Sequence, residues 1–189
     1  MLTGLANRSL FLERASQYVR TAATNGHPLV VFLIDVERFK NINDTFGRAA
    51  GDKLIIVLAQ WITRKVGDIN LLARVGADHF AVVLPKVRAD GNVAKLIENA
   101  LNGLLEYPFD VSETLLRIGV KLGVAQFPND GADAETLLKN AELALNAAKA
   151  GGERYSFYAT KMTDAVVQTL TLENQLRQAL ENDEFVLYY

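Results

Sequence analysis

The sequence predicts an α/β fold with a mixed central sheet flanked by helices. Three observations carry that prediction. Runs of β-forming residues alternate with amphipathic helical patterns, one short glycine-containing turn joins two such runs as a hairpin, and half of the 189 residues are apolar, enough for one well-buried core.

The first helical pattern covers residues 8–24, and Asn25-Gly26 followed by Pro28 supplies its stop. Leu29 to Ile34 is continuously apolar and rich in β-formers, as expected of a central strand covered on both faces, and it ends at Asp35. A polar stretch from Glu37 to Gly51 follows. Beyond it Leu54, Leu58, Trp61 and Ile62 recur at helical spacing, which predicts a helix over about residues 50–66. Ile69 to Val75 and Phe80 to Leu84 are β-like runs joined by Gly76-Ala77-Asp78-His79, a length and composition that suit a hairpin.

Residues 90–107 read as helix and Leu115 to Phe127 as one long strand. The helix predicted over 133–150 gathers Leu137, Ala141, Ala144, Leu145 and Ala148 on one side, and Gly151-Gly152 closes it. Tyr155 to Tyr158 is expected as an edge strand. A last helix over about 161–182 carries Leu172, Leu176, Ala179 and Leu180 at helical spacing, before an extended end from Glu184 to Tyr189.

Twenty basic residues against 22 acidic ones leave a formal charge of −2, so no bulk field attracts nucleic acid or an anionic membrane, and any phosphate must be held locally. The apolar runs are far shorter than the roughly 20 residues of a membrane helix. The N-terminus, Met1 followed by Thr3, Asn7 and Arg8, does not have the pattern of a secretory signal. With no cysteine, disulfides, zinc-thiolate sites and thiol nucleophiles are excluded, and two histidines are too few for a histidine metal cage. A cytoplasmic setting is the expectation, in a parent protein that can itself be membrane-anchored.

Asp35 stands where an apolar strand ends and Asp78 stands in a hairpin, so neighbouring strands would let the two share one hard cation such as magnesium. Their plain alternatives are a helix N-cap and a turn former. The segment Phe39-Lys40-Asn41-Ile42-Asn43-Asp44 offers backbone N–H groups and Lys40 to phosphate oxygens, or is simply a solvated loop. Asn43 and Asp52 supply an amide and a carboxylate suited to guanine, or a turn asparagine and a helix-start aspartate.

Several blocks carry a family resemblance. Leu2-Thr3-Gly4-Leu5-Ala6-Asn7-Arg8 is similar to LTGLxNR, and the stretch from Asp35 to Gly47 is similar to DxDxFKxINDxxG. Gly51-Asp52-Lys53-Leu54 continues that block, while Gly123-Val124-Ala125 and Ala147-Ala148-Lys149 match weaker late motifs. In this order and spacing they resemble the GGDEF family of diguanylate cyclases over nearly the whole chain.

The resemblance implies a polymerase-palm and adenylyl-cyclase-like GGDEF fold with a ferredoxin-like core. In active members two GTP-loaded domains meet face to face, and each 3′-hydroxyl attacks the other α-phosphate to form cyclic di-GMP and two pyrophosphates. Carried over by position, Asp35, Asp78 and the Val36 carbonyl would hold Mg2+, and Asn43 and Asp52 would contact guanine. Phe39, Lys40 and Lys149 would lie near phosphates, with Gly76 and Ala77 in the turn against the nucleotide. Asp78 and His79 fall on the catalytic positions.

The signature is altered here to Gly76-Ala77-Asp78-His79-Phe80. A turn glycine often supplies positive φ, so the Ala77 methyl is expected to cost about 1 kcal/mol or to block nucleotide. His79 removes a carboxylate, and an imidazole with an ordinary pKa near 6.5 is mostly uncharged at neutral pH; its alternative is an exposed histidine with no role. Glu153 replaces the phosphate-contacting arginine expected four residues after Lys149, and Arg154 would compensate only through a register shift. Arg48 stands in place of a histidine, a change the sequence does not explain. Gly67-Asp68-Ile69-Asn70 replaces the product-inhibition motif, so feedback by cyclic di-GMP is not expected there.

The tail from Leu172 to Tyr189 resembles the beginning of an EAL phosphodiesterase domain. The implied organisation is a GGDEF-like domain over 1–160, a connector helix over 161–182 and the start of a truncated EAL-like domain over 183–189. Three functions follow as expectations: a GTP and Mg2+ binding regulatory module for the EAL domain, a residual cyclase, or a structural homodimerisation domain without nucleotide.

Overall fold

The computed structural model describes residues 2–87, 91–111 and 114–160, with positions 162, 171–174 and 177. The chain divides into two compact units, Met1–Tyr158 and Ala159–Tyr189. In the second unit the described positions 160, 162, 171–174 and 177 are helical, while most of the expected 161–182 connector and all of 183–189 lie outside the described residues.

The first unit opens with α1 (Arg8–Asn25). Asn7 caps it by accepting the Leu10 N–H at 2.9 Å, and Gly26 ends it in the left-handed conformation that a residue without Cβ adopts at least cost. β1 (Leu29–Val36) is buried at every position. The polar stretch after it corrects the sequence reading, because Phe39–Phe46 forms a short helix, α2, which Gly47 separates from α3 (Arg48–Val66). A tight turn with Arg38 at φ 55 swings the chain from β1 into α2.

Next come β2 (Leu72–Arg74) and β3 (His79–Pro85). Residues Ile69–Leu71, expected within the strand, instead make a 3₁₀ turn because the Asp68 carboxylate accepts the Asn70 N–H at 2.8 Å. α4 (Gly91–Glu106) precedes a two-stranded ribbon of β4 (Phe109–Val111) and β5 (Thr114–Leu116). The long strand expected over Leu115 to Phe127 is therefore two strands. Leu115 is exposed in the ribbon, and the main sheet resumes only at β6 (Val120–Phe127). α5 (Ala134–Gly151) and β7 (Tyr155–Phe157) complete the unit.

The sheet order is β2-β3-β1-β6-β7, with β1 antiparallel to β3 and β6 and with β7 parallel to β6. This is the mixed sheet flanked by helices that the sequence predicts. Side chains alternate across it. Val30, Phe32 and Ile34 of β1 pack with α3 and α4 through Leu54, Leu58, Ile97 and Leu101. Leu29, Val31 and Leu33 pack on the other face with α1 and α5 through Phe11, Ala15, Leu137 and Ala141. Gly123 of β6 has no Cβ, which lets the α5 backbone at Ala141 and Leu145 lie directly on the strand.

Candidate functional site

The alternation in β1 fixes where the first predicted residue points. Asp35 continues the series of odd-numbered positions through Leu29, Val31 and Leu33, so its carboxylate faces the α5 side at the strand's end, only 8 % exposed. The register places His79 of β3 opposite it on one side and Lys121 of β6 opposite it on the other. A row of three polar side chains thus crosses three adjacent strands where the apolar core stops.

Distances within the row are short. His79 Nε2 lies 3.0 Å from Asp35 Oδ1, and His79 Nδ1 lies 2.9 Å from Asp78 Oδ1. Lys149, near the C-terminal end of α5, places its Nζ 3.0 Å from Asp35 Oδ2. The Val36 N–H donates to the Asp78 carbonyl at 3.2 Å, which ties the hairpin to the end of β1. Asp35, Val36, Asp78, His79 and Lys149 therefore converge. The imidazole stands between the two carboxylates and is half-buried rather than exposed.

Electrostatics follow from that placement. Burial pushes the Asp35 carboxyl up, but the hydrogen bonds and charges of His79 and Lys149 outweigh it and hold the group below its ordinary 3.8. The hydrogen bond to Asp35 raises His79 above its ordinary 6.5, against the opposing effect of burial and with help from the charges of Asp35 and Asp78. The uncharged imidazole expected at neutral pH is thus shifted toward its charged form.

A pH dependence results. Stability from His79 is complete below 6.5 and disappears as pH rises through the raised folded value. Stability from Asp35 is complete above 3.8 and disappears as pH falls through the lowered folded value. The urea midpoint of the domain should carry a component that peaks between these limits and that flattens in His79→Gln. Identical pH profiles for the two proteins above 6.5 would contradict it.

The residues expected from the sequence to contact guanine sit on α2 and α3. Gly51 at the start of α3 lies against the Asn43 side chain and the Phe39 ring of α2, so a Cβ at Gly51 would displace Asn43. Asn43 is half-buried beside this contact, and Asp52, the next residue after Gly51, is exposed. The Phe39 side chain is 9 % exposed and belongs to the core, because an aromatic ring gains more from burial there than from solvent. Lys40 is exposed.

The hairpin corrects one expectation about backbone strain. Neither Gly76 nor Ala77 has positive φ, so Ala77 occupies ordinary backbone space and the anticipated strain of about 1 kcal/mol does not arise. Arg74 holds the turn instead, donating from Nε to the Ala77 carbonyl at 3.2 Å and from a second guanidinium nitrogen to the same oxygen. Arg154 turns to Asn102 of α4 at 3.1 Å and so does not stand in for the arginine replaced by Glu153.

Sequence reasoning passed over Lys121. Its Nζ donates to the Glu153 carbonyl at 2.6 Å and to the Ala148 carbonyl at 3.5 Å, and lies 3.9 Å from Glu37 Oε1. A cation is favoured here because the last carbonyls of α5 carry partial negative charge. The available signal was a lone lysine within an otherwise largely apolar strand. A cavity of about 640 Å³ also exists, but Trp61, Ile97 and Leu101 line it on the opposite face of the sheet.

Asp35, Asp78 and His79 each present one ligand-type atom, all within 4.8 Å of one another. Magnesium demands oxygen donors in a near-octahedral shell at about 2.0–2.1 Å. Here both Asp35 oxygens face nitrogen donors, one Asp78 oxygen faces the same imidazole, and the ring fills the space between the carboxylates. As arranged, these residues do not fit a magnesium ion.

The profile of the family described as "Diguanylate cyclase, GGDEF domain" matches residues 1–155. Over 189 residues, all of this chain, the sequence is 33 % identical to the cyclic di-GMP phosphodiesterase NbdA of Pseudomonas aeruginosa and covers 24 % of that protein. It is 34 % identical, again over its whole length, to the bifunctional diguanylate cyclase/cyclic di-GMP phosphodiesterase MucR of the same organism, covering 27 % of it. The chain thus spans about a quarter of the length of these relatives. Among solved structures, the GGDEF domain of TpbB (YfiN) from Pseudomonas aeruginosa superposes with a TM-score of 0.77 at 30 % identity, over 83 % of this chain and 98 % of that one.

Proposed function

This chain belongs to the GGDEF domain family of cyclic di-GMP signalling, and we propose that within it the domain is a guanine-nucleotide-binding regulatory module, impaired as a cyclase, that acts on an adjacent EAL phosphodiesterase domain. One observation carries the reading: an imidazole stands between Asp35 and Asp78, 3.0 Å from the first and 2.9 Å from the second. A nucleophile-activating site needs carboxylates free to meet a cation and a developing phosphoryl charge. Here His79 and Lys149 already engage them.

The positions of the candidate recognition residues support the reading. Asn43 and Asp52 flank the α2–α3 junction, the amide and carboxylate matching guanine's carbonyl and donor edge. Lys40 at the first turn of α2 is exposed and able to meet phosphate oxygens. The unstrained Ala77 turn adds a methyl near the nucleotide without distorting the hairpin. Coupling to the neighbouring domain requires only that nucleotide bind two domain arrangements with different affinity. The tail's EAL resemblance and the phosphodiesterase names of NbdA and MucR support that partner. Among the described residues no helix is long and apolar enough to cross a membrane, and a cytoplasmic site of action is part of the proposal.

Calorimetric titration with a non-hydrolysable GTP analogue, followed by incubation with GTP and chromatography for cyclic di-GMP, tests the reading. Heat without product is expected. Product that disappears in Asp78→Ala would instead establish a residual cyclase, and neither heat nor product would leave a structural dimerisation role.

A further inference from the structure

We infer that the His79 ring occupies the place between Asp35 and Asp78 where a divalent metal would bind, and that the domain therefore takes its guanine nucleotide without a divalent metal. The inference rests on the nucleotide-binding reading above and concerns what fills that same site.

Geometry carries it. Each ring nitrogen lies close to a different carboxylate, 3.0 Å to Asp35 and 2.9 Å to Asp78, so the ring takes up the space between the two acids. Lys149 stands at 3.0 Å on the remaining Asp35 oxygen. Both Asp35 oxygens therefore already have nitrogen partners, and the free oxygen donors that a hard divalent ion requires are absent from this carboxylate.

The ring's position is also held from several sides. Its cross-strand pairing with Asp35 is part of a seven-pair ladder between β1 and β3, which a one-residue slip would break by turning the core residues outward. Gly76 makes room for it, because a Cβ there would lie 3.2 Å from both Cβ and Nδ1 of His79. Arg74 fixes the intervening turn through the Ala77 carbonyl. A metal entering between the acids would have to expel the ring and separate Asp35 from both His79 and Lys149.

The experiment uses Mn2+ as a paramagnetic substitute for Mg2+, with free Mn2+ followed by electron paramagnetic resonance, on the unaltered chain, His79→Glu and His79→Gln. A parallel calorimetric titration measures the GTP analogue in Mg2+ and in EDTA. The unaltered chain should take up Mn2+ at least about tenfold more weakly than His79→Glu, and its affinity for the analogue should change by less than about threefold between Mg2+ and EDTA. His79→Gln, which keeps a polar side chain but no charge, should gain weaker Mn2+ binding and provides the comparison if His79→Glu does not fold. Equal Mn2+ affinity in the unaltered chain and the variants would overturn the inference, as would analogue binding that is lost in EDTA. If the analogue binds under neither condition the guanine reading fails, and the Mn2+ comparison still decides the role of His79.

Discussion

Replacing Gly123 by alanine is expected to destabilise the domain by about 3 kcal/mol and to lower its melting temperature by roughly 6–12 °C. The added Cβ would run into the Ala141 carbonyl oxygen and the Leu145 N–H, with the Leu145 Cβ only 2.8 Å away. Overpacking is tolerated when a flexible side chain can swing aside, but these obstacles belong to the α5 backbone, which moves only if the whole helix does. Differential scanning calorimetry of Gly123→Ala measures it directly. A loss below about 1 kcal/mol would show that α5 can lift from β6 without breaking the core.

The second large effect is expected at Asp35. Its side chain is 11 % exposed and engages both His79 and Lys149, so Asp35→Ala leaves two cations beside each other with one carboxylate, Asp78, on the far side of the ring. Breaking a buried pair by removing one partner costs about 3–5 kcal/mol, and the partial exposure of His79 and Lys149 brings the expectation down to about 2 kcal/mol near pH 6. The cost should shrink at alkaline pH, where His79 loses its charge in both proteins. Urea denaturation at pH 6 and pH 9 gives both values. An equal cost at the two pH values would mean that the charge of His79 adds nothing to what Asp35 contributes.

How much of this was legible depends on what each residue's neighbours do. β1 was readable because an apolar run that stops at an aspartate has one simple interpretation, and α1 was readable because Asn7 and Gly26 mark its two ends. α2 was not. Its eight residues include Asn41, Asn43, Asp44 and Thr45, all turn formers by local preference, and only Phe39 is buried. Tertiary packing against Gly51 makes the helix, and no periodicity develops in so short a segment. The division of β5 from β6 was hidden for the opposite reason, since the apolar residues on both sides of Arg117 run on with little interruption.

At the site, the identities of Asp35, Asp78 and Lys149 were available from motif spacing, and their convergence required the sheet register. The altered signature was visible as His79 in place of a carboxylate, but the contacts of its ring were not. Whether an imidazole dangles from a turn or bridges two acids depends on which β1 residue lies across from it, and one sequence does not contain that information. Ala77 taught the reverse lesson: its departure from glycine looked costly until the turn proved to use ordinary backbone angles. Phe39 and Lys121 show how burial decides between packing and polar duty, the ring going inward and the lysine reaching the carbonyls at the end of α5.

The antiparallel ladder of β1 and β3 has a consequence for how such a domain changes over time. Phe80 and Val82 anchor one face and Ala81 and Val83 the other, so the strand is locked in place before the polar tip begins. Substitutions at that tip can rewrite its chemistry while the architecture behind them stays intact.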